Sequence, residues 1–308
     1  MIVRRTWSRV APLGVRFVDD RSGDLVVDNL VVTAWPAREP SRRSPAIVNR
    51  SGVFSLHDLP GLGGLEHGTG DDAYWRAAPR RPFVVDVEDL ALRFLAFRFT
   101  VELPLRGLLE LRCGSPPAAV GPAPDRGVPL FTAPTRPTLP GMAVLRADLW
   151  DAAANAPAAW AVVQASIPSA AAHGVPPIRA IADDRGQIAL HMPCPDAEDL
   201  DGGSFDSPSG PAPVPLTART WSVDLAASYG HLTPGAPIVG LLPSRGGAPI
   251  PDLCAAMTQP PATLWSDRAR TTPLRRASLG FGSETVLRST GSGAGPQSVL
   301  FLTPGSPP

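Results

Sequence analysis

From Phe97 to Leu103 the chain reads Phe-Arg-Phe-Thr-Val-Glu-Leu, apolar and polar in strict alternation. That period of two places Phe97, Phe99, Val101 and Leu103 on one face of an extended strand. The same spacing runs through Trp221, Val223, Leu225, Ala227 and Tyr229, with Ser222, Asp224, Ala226 and Ser228 between them. Helical spacing is scarce: the one stretch that fits it is a turn or two around Asp252 to Thr258, opened by Pro251 and closed before Pro260. The 38 prolines and 29 glycines cut the rest into short pieces, and 44% hydrophobic residues supply core material between the turns. These features predict an all-β chain.

Proline-rich stretches mark the boundaries. Eight prolines between Ser115 and Gly141 read as an extended connector, and Pro195 to Pro215 and Pro234 to Pro261 as further irregular regions. Ala152 to Ile178 has no Asp, Glu or Arg but is broken by four prolines, so it reads as a buried strand with loops rather than a membrane span. Thr285 to Ser289 and Ser298 to Leu302 flank a Gly- and Ser-rich run and read as a hairpin. The expected organisation is a β-module over 1–112, a Pro-rich connector over 113–140, a second β-module over 141–230, and an irregular and β-hairpin extension over 231–308.

Charge removes several chemistries. The 28 cationic side chains are all arginine and balance 28 acidic ones. Without lysine there is no P-loop phosphate clamp, no Schiff-base amine and no kinase-type phosphoryl transfer. Without a basic excess, neither nucleic acid nor an anionic membrane is an expected partner. Cys113, Cys194 and Cys254 lack the close spacing of zinc or redox motifs, and an odd, sparse count speaks against a disulfide-stapled domain. Arg4 and Arg5 are not followed by an apolar segment, so a secretory leader is not expected. The expected location is a particle in the cytoplasm or released from it by lysis.

The chain also repeats itself. Ala46 to His57 aligns without gaps on Ala180 to His191, sharing Ala, Ile, Gly, Leu and His. An apolar strand ending in proline precedes each copy, Leu30 to Pro36 and Val162 to Pro168, and before these lie Val15 to Asp19 and Val144 to Asp148. Two such copies imply two similar all-β modules. In the repeated element Asn49 or Asp183 closes a turn with its side chain, and Gly52 or Gly186 supplies a positive φ. The first copy, with Asp19, Ser22-Gly23, Asn49, Gly52, Phe54, Leu56, Leu59 and Pro60, resembles a carboxypeptidase-regulatory-like domain of the transthyretin-like, Greek-key β-sandwich family. The second copy resembles it through Asp183, Gly186, Ile188 and Leu190, but its first turn, near Ala152 to Ala156, lacks the glycine.

Other segments, Arg93-Phe94-Leu95 to Pro104, Pro129 to Pro134, Ala158 to Val163 and Phe281-Gly282 to Ser289, are similar to accessory structural proteins of phage-tail-like contractile injection particles. That resemblance implies a non-enzymatic component of the baseplate or cap region that docks on other subunits through loops, strand edges and proline-rich arms.

The candidate sites fit an assembly role better than catalysis. No G-x-S-x-G elbow occurs, and Gly61-x-Gly63-Gly64 does not have the setting of a dinucleotide loop. His57 and His191 recur at matching positions, which suits packing or a turn contact. His67 with Asp71 and Asp72 is the only cluster worth testing for a metal or an unfamiliar reaction, and surface-loop composition accounts for it. The acidic run Asp196, Glu198, Asp199 and Asp201 lacks calcium-loop spacing. No catalytic, cofactor-binding or metal-ligating set is therefore expected. Trp160 and Trp221 should be core. Trp75 beside Arg76, Arg80 and Arg81, and Trp265 next to Asp267 and Arg268, are the expected interface anchors. Arg275 and Arg276, with Arg268 and Arg270 just upstream, read either as a surface for an acidic partner or as an exposed arm. The alternative is a monomeric sandwich that binds a small ligand or glycan in a concave aromatic cluster.

Overall fold

The computed structural model describes residues 9–67, 72–105, 107–113, 127–138, 140–168, 171, 176–194, 219–232, 250–290 and 299–305. The chain is all-β and divides into two units, Met1–Leu130 with Ile250–Cys254, and Phe131–Pro249 with Ala255–Pro308. The acidic run 196–201, residues 115–126 and 139 of the connector, and residues 68–71 lie outside the described residues.

Unit 1 contains β1 (Leu13–Val15), β2 (Phe17–Asp19), β3 (Leu30–Pro36), β4 (Ser44–Val48), β5 (Phe54–Leu56), β6 (Arg81–Asp89), β7 (Phe97–Leu103) and β8 (Val128–Leu130), with short helices α1 (Gly63–Glu66) and α2 (Asp72–Ala77). Its six-stranded sheet runs β1-β5-β4-β3-β6-β7, and β2 pairs separately with β8. The alternation in β7 buries Phe97, Phe99, Val101 and Leu103 while Thr100 and Glu102 face outward, as the sequence predicts. Across β3 and β4 only Thr33–Pro45 and Ala34–Ser44 pair, so two three-stranded halves are hinged along two residue pairs. Apolar side chains from both halves are buried, among them Leu13, Phe54 and Leu56 from one and Ala34, Val85 and Phe99 from the other. Phe17 and Phe54 meet edge to face at 5.3 Å between centroids.

Unit 2 contains β9 (Met142–Asp151), β10 (Ala156–Pro157), β11 (Val162–Ser166), β12 (Ile178–Ile181), β13 (Gln187–Pro193), β14 (Thr220–Ser228), β15 (Pro261–Trp265), β16 (Arg276–Gly280), β17 (Glu284–Val286) and β18 (Val299–Pro304). Helix α3, Leu253–Met257, is the one the sequence predicts there; its first two residues count with unit 1 and the rest with unit 2. The strand pairings reproduce those of unit 1. β9 pairs β13 as β1 pairs β5, and β11 pairs β12 as β3 pairs β4. β11 pairs β14 as β3 pairs β6, and β14 pairs β16 as β6 pairs β7. One link differs. In unit 1, β4 joins the halves by pairing both β5 and β3, whereas in unit 2 the path from β9 to β14 runs through β18 and β15.

The repeated turn is the same in both copies. Asn49 Oδ1 accepts the Ser51 and Val53 N–H groups, and Asp183 Oδ1 accepts those of Arg185 and Gln187. Gly52 and Gly186 follow at φ 70° and 77°. The earlier turns also correspond: Asp19 accepts the Arg21 N–H and is followed by Gly23 at φ 73°, while Asp151 accepts the Ala153 and Ala154 N–H groups and is followed by Asn155 at φ 50°. Asparagine tolerates the left-handed region, so the second copy needs no glycine there. Asp89 and Asp267 build two further turns of this kind, with Leu92 and Arg270 at φ 60°.

Three expectations are corrected. β17 and β18 are not a hairpin: each pairs in parallel with β9, β17 over 144–146 and β18 over 148–151. The ten-residue β9 is long enough to take both in succession, so the C-terminal strands belong to the unit 2 sheet and are not an extension. Unit 1 reaches to Leu130 and takes in Ile250–Cys254, beyond the expected boundary at 112. Cys113 and Cys254, 141 residues apart, form a disulfide, because that returning segment brings the second cysteine to the first. Cys194 is free and donates to the Gly141 carbonyl at 3.2 Å.

Candidate interaction surface

Trp75 and Trp265 are not presented to a partner. Trp75 lies in α2 and is 5% exposed, because the segment read as a loop is a helix with one face turned inward. Trp265 ends β15 at 7% exposure and donates its indole N–H to Thr303 Oγ1 on β18 at 2.9 Å. Arg80, Arg81, Arg275 and Arg276 are exposed, and Arg276 is paired with Asp224 at 2.8 Å. Trp160 and Trp221 are core residues, as expected. Gly63 and Gly64 open a helix, but one of four residues.

The exposed apolar surface lies elsewhere in unit 1. Register places the start of β3, the ends of β4 and β6 and the start of β5 at one end of the sheet: Thr33 pairs with Pro45, Leu30 with Asp89, and Val48 with Phe54. Leu25, Val27, Ile47, Val48, Leu90 and Leu92 cluster there, six of the nine exposed large hydrophobic residues among those described. Ile47 is the most exposed, at 65%. Leu25 and Val27 lie over Gly52, where even an added Cβ would collide with them. Leu90 donates its backbone N–H to Asn29 O at 2.8 Å.

A polar clamp fixes this end. Arg93 reaches Asp28 with Nη1 at 3.1 and 3.2 Å and with Nη2 to the Asp28 carbonyl at 2.8 Å. Its Nε lies 3.1 Å from Asp89 Oδ2, and its own backbone N–H donates to that oxygen at 2.7 Å. Asp89 is buried, and its carboxylate closes the turn that carries Leu92. Partial desolvation raises the Asp28 pKa, but the hydrogen bond and charge of Arg93 outweigh it and hold the carboxyl below its ordinary value. The Arg93 guanidinium is correspondingly raised, chiefly by its bond to Asp89. Leucine rarely adopts a positive φ, and Leu92 does so in the turn that Asp89 closes.

Two polar clusters lie elsewhere. In unit 1, Glu66 is fully buried and receives Arg9 Nε at 2.8 Å, with His57 Nδ1 at 3.4 Å; Arg9 also pairs with Asp58. His57 is therefore a packed neighbour of a buried carboxylate, and its counterpart His191 is fully buried. His67 is exposed, and no group of three metal-ligating side chains occurs among the described residues. In unit 2, Asp151 accepts the Tyr229 hydroxyl at 3.0 Å and lies 3.4 Å from His231 Nδ1. Burial raises the Tyr229 pKa, and the bond to Asp151 adds to the shift. A cleft of about 260 Å³ beside Arg146, Gln187 and Val286 has no aromatic residue in its lining. Among the described residues, no helix is long and apolar enough to cross a membrane.

Sequence inspection missed the apolar end because each of its residues looks like ordinary core or strand when read alone. The only signal was spacing: all six adjoin loops that follow β2, β4 and β6.

No family model matches the chain. No curated protein matches it in sequence. Among solved structures, a mutant of the shaft pilin SpaA from Lactobacillus rhamnosus GG aligns over 98% of this chain and 99% of its own, at 7% identity and a TM-score of 0.20.

Proposed function

We propose that this protein is a non-enzymatic assembly subunit of a contractile, phage-tail-like injection particle. It would sit in the baseplate or cap region and dock on neighbouring subunits. The observation that carries the docking role is the cluster of six exposed apolar side chains at one end of unit 1, braced by Arg93. Surface apolar residues scattered singly need no explanation, but six of them gathered at one end of a sheet, with the loops that carry Val27, Leu90 and Leu92 tied together by Arg93, suit a protein contact. The particle itself is suggested by the sequence resemblance. The duplicated strand pairing and the recurring Asx-type turns fit two tandem transthyretin-like modules, a scaffold that presents loops at its ends.

The test is sedimentation of the native protein from a lysate of its source, with mass spectrometry of its fraction. Co-sedimentation with sheath-like and tube-like subunits supports the reading. A species that stays near 32.3 kDa in every fraction removes it. The monomeric glycan-binder gains nothing from the aromatic-free cleft.

A further inference from the structure

We propose that Cys113–Cys254 is a redox-operated clamp that holds the strap Ile250–Cys254 on the edge of β7. The strap joins unit 1 from far along the chain, after β14 and before β15. It lies alongside β7 through a bond from the Arg98 N–H to Pro251 O at 3.0 Å and a parallel bridge between Arg98 and Asp252. That bridge is isolated and does not continue as a ladder, so the strap is not an integral strand of the sheet. Ile250, Pro251 and Leu253 are buried, which gives the strap apolar anchors. The disulfide is its covalent tie. By closing a loop of 141 residues, it restricts the released strap far more than a short-range bridge would.

Both cysteines are partly exposed, so a small thiol can reach the bond. A thiolate of the glutathione class attacks one sulfur, the Sγ–Sγ bond breaks, and the departing cysteine thiolate takes a proton from solvent. A second glutathione thiolate then attacks the mixed disulfide and releases glutathione disulfide and the other cysteine thiolate, which is protonated in turn. Two electrons pass from two thiols to the protein disulfide, and a small-molecule disulfide reverses the process. With the bond open, the strap can leave the β7 edge, uncovering Leu253 and freeing the Arg98 N–H. A free sheet edge is a template for pairing, so the clamp controls whether that edge is available.

The test uses the full chain in glutathione buffers of graded poise, read by thiol alkylation and by hydrogen exchange with mass spectrometry. The oxidised chain should take one alkyl group, at Cys194, and the reduced chain three. On reduction, exchange in segments covering 250–257 and at the Arg98 amide should quicken at least tenfold, with β3, β6 and β14 unchanged. The Cys113→Ser/Cys254→Ser double variant should show the fast pattern in every buffer, and Cys194→Ser the parental one. Three alkyl groups on the oxidised chain would overturn the proposal. So would unchanged exchange in the fully reduced chain. Loss of protection across β3, β6 and β7 together would also overturn it, since the bond would then be a staple for the whole unit.

Discussion

Asn155 stands in unit 2 where Gly23 stands in unit 1: each lies four residues after a turn-closing aspartate, and each has a positive φ, 50° and 73°. The left-handed region costs most L-residues roughly 1–2 kcal/mol, and asparagine less. Asn155→Gly should therefore leave stability nearly unchanged, while Asn155→Val should lower it by about 1–2 kcal/mol in urea unfolding.

The two glycines of the repeated turn should respond unequally to alanine. A Cβ at Gly186 would run into the backbone carbonyl of Leu149, which cannot yield, whereas at Gly52 it would meet the flexible end of Leu25. Gly186→Ala should cost about 2–4 kcal/mol and Gly52→Ala closer to about 1–2, both measured by urea midpoint. Equal losses would contradict the packing described.

Asp183 gives a pH prediction. Burial raises its pKa, and the N–H bonds from Gln187 and Arg185 offset this only in part. Because the folded state holds the proton more tightly, stability falls as pH rises from the ordinary aspartate value, about 3.9, through the raised one. Asp183→Asn keeps the amide-accepting oxygen, as Asn49 does, and removes the charge. The variant should be the more stable protein at neutral pH, with its advantage shrinking as pH falls through that window. A constant difference from pH 3 to 7 would refute the assignment.

Much of this architecture was legible locally. Strict alternation located β7 and β14, and the Asn49–Gly52 and Asp183–Gly186 pairs announced their turns. What the sequence hid was partner choice between distant segments. Nothing in Val299–Pro304 says that it lies parallel to β9, and nothing near Cys113 points 141 residues onward. The exposure of Ile47 and Val48 was hidden for the same reason, since it depends on β3 and β4 parting after two residue pairs. Trp75 misled because a helix of six residues leaves too little periodicity to read.

Removing the clamp should separate stability from docking. Arg93→Ala strips Asp89 of its charged partner and should cost about 1–3 kcal/mol, with the acid limb of the stability profile flattened because Asp28 loses what lowers its pKa. The exposed substitutions Ile47→Asp and Leu90→Asp should change stability by no more than about 0.5 kcal/mol yet abolish co-sedimentation with the particle. Retained co-sedimentation would move the contact away from this end.

Tyr229→Phe leaves the buried Asp151 carboxylate short of one donor, and should lower the stability of unit 2 by about 1–3 kcal/mol. Hydrogen exchange should show the loss around β9 and β14, with β3 and β6 unaffected.

The different closures of the two sheets set an order of events during synthesis. All six strands of the unit 1 sheet have left the ribosome once Leu103 is clear, so that sheet can form while most of the chain is still untranslated. In unit 2 the path between β9 and β14 needs β15 and β18, so the nascent protein carries two unjoined sheet halves until residues 299–304 emerge. Any chaperone dependence or aggregation during expression should therefore arise from the second unit, late in translation.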